Sequence, residues 1–333
     1  MCGILGFIGQ SKDQEKTRIL VTELFDTMQV RGTDAAGFYC ISNDNKIYHY
    51  KQPGTSSELI KTGYYKEIWN KQINLGIFHC RAASTGVGAP VENKNNHPFV
   101  SDDFNKAIIH NGLIIGKEYQ LLKQLHEVRT ECDSEIILRV LEKSDDLLDN
   151  IKYLFDHTKS SYFAIAYAEA SDEYKKLLLT RNKHRPLFFV DVREECGQIL
   201  FFSTFEIFLS CLNTLKLKGI DIDIYKNFYN IKPYEIVVFD LYSDNEIVIK
   251  KYFAEEKELI SPEKIKKEVK TLHEQNVLDY ISTAQEKLEE VENGIKSLID
   301  NHSISEEELS DIVTYVDQIN ITLDSIKTDF LSQ

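Results

Sequence analysis

One step in charge constrains this sequence more than any other feature. From Glu255 to Gln333 there are 8 Lys, no Arg and 19 Asp or Glu, a net of −11, while the preceding 254 residues carry 31 basic and 34 acidic groups, a net of −3. Charge of one sign at that density keeps the outer faces of a segment in water. The step therefore marks a domain boundary, between residues 254 and 255. The length of 333 residues accommodates two domains at roughly 150 residues each.

The two sides also differ in hydrophobic period. Before the step, short apolar runs read as buried strands: Gly3–Ile8, Ala107–His110, Tyr162–Ala168, Leu177–Thr180, Leu187–Val190 and Ile199–Phe202. Thr17–Met28 and Ser134–Leu141 have helical spacing, and 234–253 reads as a β-hairpin turning at Ser243-Asp244-Asn245. After the step, Ser261-Pro262-Glu263 is a helix start and Ser305-x-x-Glu308 a capping box. Apolar residues recur in steps of 3 and 4 from Val277 to Leu298 and again from Leu309 to Phe330. Such stripes predict an antiparallel helical hairpin, coiled-coil-like, or helices that pair between chains into a homo-oligomer. Their function is then assembly or partner docking; the plainer alternative is a hairpin that packs on its own domain.

Composition excludes several classes. With 42% hydrophobic and 11% aromatic residues the chain offsets its ordering entropy and is not globally disordered. No apolar run approaches the roughly 18 to 20 residues of a membrane span, and no Lys or Arg precedes the first apolar stretch, so a signal peptide is not expected. The net charge of −14 repels phosphate backbones, so neither nucleic acid nor membrane is an expected partner. A cytoplasmic, reducing compartment is expected, in which Cys2, Cys40, Cys80, Cys132, Cys196 and Cys211 form no disulfides. No C-x-x-C pair supplies zinc spacing, and His79, His97 and His110 are not spaced as a compact ligand set, so no metal or cofactor is expected and the three histidines are read as structural or as supports behind the site residues.

Cys2 stands apart. Removal of Met1, usual before a small side chain, leaves a thiol beside its own α-amine. That amine has a reference pKa of about 7.7 to 8.0 and acts as a base near neutral pH. One residue then provides both nucleophile and base.

Further segments come in a fixed order: Arg31-Gly32-Thr33-Asp34-Ala35-Ala36-Gly37, His79-Cys80-Arg81-Ala82-Ala83-Ser84-Thr85-Gly86, Asn95-Asn96-His97-Pro98-Phe99, His110-Asn111-Gly112-x-Ile114, Cys132-Asp133-Ser134-Glu135, and weaker blocks at 181–187 and 233–236. With Cys2-Gly3-Ile4-Leu5-Gly6, their order and spacing resemble the class II, N-terminal-nucleophile glutamine amidotransferases. The glutaminase domains of phosphoribosyl-pyrophosphate amidotransferase and glucosamine-phosphate synthase are the most similar variants; the asparagine synthetase branch fits less well. The resemblance implies an α+β fold, the four-layer αββα sandwich of N-terminal-nucleophile hydrolases, over residues 2–254, followed by the helical hairpin at 255–333.

The resemblance also implies the roles. Cys2 attacks the carboxamide carbon of L-glutamine, and a γ-glutamyl thioester forms as ammonia leaves. The Asn111 amide and the Gly112 N–H stabilise the oxyanion. Arg81 grips the α-carboxylate bidentately, Ser84 adds a hydroxyl there, Asp133 takes the α-ammonium, and Arg31 lies near the nucleophile. Taken singly these residues have ordinary explanations. Arg81 or Arg31 would be a surface ion pair, Asn111-Gly112 a hairpin turn, Asp133 a helix cap.

Some positions depart from the family pattern. Cys80 replaces a usual Thr, Ala82 a large aromatic in a segment resembling a glutamine-covering loop, and Tyr234 a Gly after Pro233. The 181–187 block is two residues short, and Phe205 follows Ser203-Thr204 where an acid is usual. No S-G-G-x-D-S or G-x-x-x-x-G-K-[ST] loop is present, and about 80 residues after the resemblance are too few for an acceptor domain. The expected protein is a glutaminase subunit that passes ammonia to a separate synthase. The alternatives are a hydrolase of another γ-glutamyl amide, or a non-catalytic interaction protein on the same scaffold.

Overall fold

Apolar residues on both faces of a strand require cover on both sides, and Gly3–Ile8 is buried at every position. A computed structural model describes residues 1–83, 88–220, 222 and 228–253. Ser84 and the expected helical hairpin at 255–333 lie outside the described residues. The chain divides into two units between Pro262 and Glu263, and all the described residues belong to the first.

Among the described residues thirteen strands occur in chain order: β1 (Gly3–Ile8), β2 (Ala35–Ser42), β3 (Ile47–Pro53), β4 (Ile73–Arg81), β5 (Phe99–Val100), β6 (Lys106–Leu113), β7 (Tyr162–Ala170), β8 (Tyr174–Arg181), β9 (Phe188–Val192), β10 (Gln198–Phe202), β11 (Phe228–Asn230), β12 (Glu235–Tyr242) and β13 (Ile247–Phe253). They form two antiparallel sheets, a seven-stranded one ordered β11-β9-β10-β1-β4-β2-β3 and a six-stranded one ordered β13-β12-β8-β7-β6-β5. The sheets face each other where β1 and β4 meet β6 and β7.

Helices cover the outer faces. On the first sheet lie α1 (Gln14–Met28), the short α2 (Ser56–Ile60) and α3 (Gly63–Ile68), and α7 (Phe205–Leu217), with α1 against β1, β4 and α7. On the second lie α5 (Ser134–Leu141) and α6 (Leu147–His157), with α4 (Gly116–Leu125) beside α5. The layers run helix, sheet, sheet, helix. Asp13 caps α1 by accepting from the Glu15 and Lys16 amides, and α1 buries Thr17, Leu20, Val21, Leu24, Phe25 and Met28, one stripe at helical spacing. The β12–β13 hairpin turns with Asn245 at φ 71°, a left-handed conformation that Asn tolerates. No helix among the described residues is long and apolar enough to cross a membrane.

Candidate active site

The register of β1 against β4 pairs Gly3 with Cys80, which carries Cys2 to the point where β4 ends at Arg81. There the Ala82 N–H donates to Cys2 Sγ at 3.5 Å, and the thiol lies 3.6 Å from the Ala82 carbonyl. Burial pushes the Cys2 thiol up from its ordinary range, the Ala82 contact and the Arg81 charge draw it down, and the Asp133 charge raises it. The balance favours the neutral thiol, which needs a base to become a nucleophile. Of the six cysteines only Cys2 is half-exposed; the other five are buried, as expected of small hydrophobes.

Arg31 ends a 3₁₀ turn, Gln29–Arg31. Its Nε donates to the Cys2 carbonyl at 2.9 Å, and its Nη1 donates to the Thr204 hydroxyl at the start of α7. Gly32 is required next, because a Cβ there would stand 2.3 Å from the Arg81 carbonyl carbon. Asp34 closes the turn: its N–H donates to the Arg81 carbonyl at 3.0 Å, and its carboxylate accepts from the Ala83 N–H at 2.7 Å. This segment thus fixes the exit of β4 behind Arg81.

Asn111-Gly112 is not a hairpin turn. Both residues lie within β6, opposite Ala164 and Phe163 of β7. In the orientation that satisfies its neighbours, the Asn111 amide donates to the Cys2 carbonyl at 3.2 Å and accepts from Arg31 Nη2 at 3.3 Å. A Cβ on Gly112 would lie 2.1 Å from the Tyr162 carbonyl oxygen, so only glycine permits this strand approach. Asp133 precedes α5 but makes no capping bond. It accepts instead from the Ile114 N–H at 2.7 Å, just beyond β6. Arg81 is no surface ion pair: it is 3% exposed, and it donates to Asn96 Oδ1 at 2.6 Å and to the Gly88 carbonyl at 2.8 Å.

Cys2, Arg31 and Asn111 are therefore in mutual contact, and the charges of Arg81 and Asp133 both reach the Cys2 thiol. Sequence reasoning missed the Ala82 backbone, Asp34, Asn96 and Thr204. Asn96 and Asp34 stand inside the motif segments, but nothing in a sequence says which polar group orients another.

The three histidines converge despite their spacing in sequence. His79 and His97 stack with centroids 3.9 Å apart, and His110 lies 6.4 Å from His97. His79 Nε2 is 3.0 Å from the His110 carbonyl, and His110 Nδ1 is 2.8 Å from the Ser134 hydroxyl. Burial lowers all three, His79 to about 3, so they are neutral. Among the described residues no group of His, Cys, Asp or Glu is arranged to hold a metal ion.

The family described as glutamine amidotransferase domain matches residues 86–210. The glutamine–fructose-6-phosphate aminotransferase (isomerizing) of Clostridium perfringens is 34% identical over 194 residues, 56% of this chain and 29% of that protein. The enzyme of the same name from Francisella tularensis is 31% identical over 196 residues, again 56% and 29%. Residues 86–210 thus match a glutamine amidotransferase domain. The chain spans less than a third of the length of these relatives. The fold agrees with that of the glutamine phosphoribosylpyrophosphate amidotransferase of B. subtilis, at a TM-score of 0.52 and 17% identity over 78% of this chain and 50% of the other.

Two departures of this amidotransferase domain from the family pattern have a physical reading. Tyr234, where Gly is usual, sits at φ 65°, a left-handed conformation that costs a non-glycine residue about 1 kcal/mol. Its ring packs edge-on against Phe155 at 5.1 Å, which offsets the strain. At Ala82, where a large aromatic is common, the backbone N–H and carbonyl meet Cys2 Sγ.

Proposed function

We propose that the chain hydrolyses the side-chain amide of L-glutamine through Cys2. Met1 is removed, and the freed α-amine takes the thiol proton as Sγ bonds the carboxamide carbon. The C–N bond breaks, the amine returns the proton, and ammonia leaves a γ-glutamyl thioester. Water then attacks, the C–S bond breaks, and glutamate is released. Asn111 and the Gly112 N–H are the oxyanion donors. Arg81 holds the α-carboxylate and Asp133 the α-ammonium; Ser84 is assigned to the carboxylate end by its motif.

The observation that carries the reading is the union, around one cysteine, of Arg31 and Asn111 on its carbonyl and the charges of Arg81 and Asp133 on its thiol. A reducing compartment, the cytoplasm, keeps that thiol free. The ammonia acceptor is assigned to a synthase outside these residues, since neither nucleotide-binding loop occurs within them. Residues 2–254 are the glutaminase and 255–333 the segment that docks the synthase or a second copy.

The test is a coupled assay for glutamate release by the purified full chain, with one ammonia expected per glutamate. No release from a folded protein that begins at Cys2 would overturn the proposal. Arg81→Lys is expected to raise KM for glutamine about tenfold or more with a smaller change in kcat, because a point charge cannot replace the planar fork. An unchanged KM removes Arg81 from the carboxylate site.

A further inference from the structure

Lys51 lies on β3, outside every motif segment of the glutaminase. Its Nζ donates to the Asn96 carbonyl at 2.6 Å and the Pro98 carbonyl at 3.1 Å, with the Lys94 carbonyl at 3.5 Å. Three donors thus meet three carbonyls of one turn. The backbone of Lys51 grips the same turn, since its carbonyl accepts from Asn93 Nδ2 at 2.7 Å. Asn93 Oδ1 in turn accepts from Asn96 Nδ2 at 3.2 Å. The ammonium also lies over the Phe99 ring, 5.0 Å from its centroid.

The turn sits close against the sheet. A Cβ on Gly37, the partner of Lys51 in β2, would lie 2.1 Å from the His97 carbonyl oxygen. The side chains of the turn reach the substrate machinery. Asn96 Oδ1 accepts from Arg81 Nη1 at 2.6 Å, and Asn95 Oδ1 accepts from the Glu131 N–H at 3.0 Å, two residues before Asp133. The turn therefore touches both the proposed carboxylate clamp and the loop that leads to the proposed ammonium acceptor.

We propose that Lys51 is a positioning residue for glutamine: it fixes the Asn93–Pro98 turn, whose Asn96 side chain holds the Arg81 guanidinium in its binding orientation. The inference rests on the glutaminase reading and deepens it. The hydrogen bonds of Lys51 run to the turn rather than to Cys2 or Asn111, so its loss acts on binding and spares the chemical step.

Lys51→Met keeps the apolar stem and removes the donors. In the full chain it is expected to raise KM for glutamine about tenfold while kcat stays within about twofold. Lys51→Arg, which keeps the charge and the donors, is expected to restore most of the affinity. In an Arg81→Lys background Lys51→Met is expected to add little, because the two residues act through one contact chain. If Lys51→Met is unfolded at the assay temperature, Lys51→Gln is read in its place. A KM unchanged by the substitution, or a loss confined to kcat, overturns the proposal. A wild-type chain that releases no glutamate is a different result, and refutes the functional reading itself.

Discussion

Cys2→Ala is expected to abolish glutamate release, lowering the rate by roughly 10³-fold or more, because no other group in the site can form the thioester. The substitution leaves Cβ in place and removes only Sγ, whose contacts are with the Ala82 backbone. Folding is therefore expected to survive, and a thermal midpoint close to that of the wild type confirms it. The other buried thiols do not substitute. Burial raises Cys80 and Cys132 to about 12, and Cys40 well above its ordinary range, so all three stay protonated at neutral pH. Residual turnover in a folded Cys2→Ala protein would show that the nucleophile is elsewhere.

The second large effect is on acid stability. His79, His97 and His110 are buried and neutral, each held below the ordinary 6.5 by loss of solvent, His79 to about 3. An unfolded chain binds protons at these groups below pH 6.5 while the folded chain does not. Stability is therefore full above pH 6.5 and falls as the pH drops from 6.5 toward 3. His79 alone accounts for about 2 kcal/mol between pH 7 and pH 5. Glu235, whose carboxyl is raised by burial, acts in the opposite direction near its own range. Urea unfolding at pH 7 and pH 5 is expected to show the loss, and His97→Gln to reduce it. A folding free energy that stays constant from pH 7 to pH 5 would mean that the cluster is solvated.

The sequence spoke most clearly where one physical rule acted alone. Gly3–Ile8 is a continuous apolar run and folds as a strand with those same ends; Ser134–Leu141 repeats at helical spacing and folds as α5 over the same residues. The strands β2 and β4 escaped notice. Burial of both faces removes their alternation, and Gly37, Asn74 and Gly76 interrupt their apolar character. Asn111-Gly112 shows how far local propensity can mislead. The dipeptide favours a tight turn, yet β7 and the Tyr162 carbonyl hold it inside strand β6. The candidate site was legible as an ordered set of motifs. Its supports were not, because Ala82, Asn96 and Lys51 act through backbone carbonyls, N–H groups and a turn that only folding brings together. The convergence of three histidines from separate strands and a loop was hidden for the same reason.

Cys2, freed of Met1, is on this mechanism the group that glutamine meets. Incubation with a diazo-ketone analogue of glutamine, with intact-mass measurement and peptide mapping of the product, tests it most directly. The expected protein begins at Cys2, takes up one equivalent of reagent on Cys2 alone, and loses its glutamate release in step with labelling. Label spread over Cys80 or Cys132, or full activity in a preparation that retains Met1 quantitatively, would contradict it.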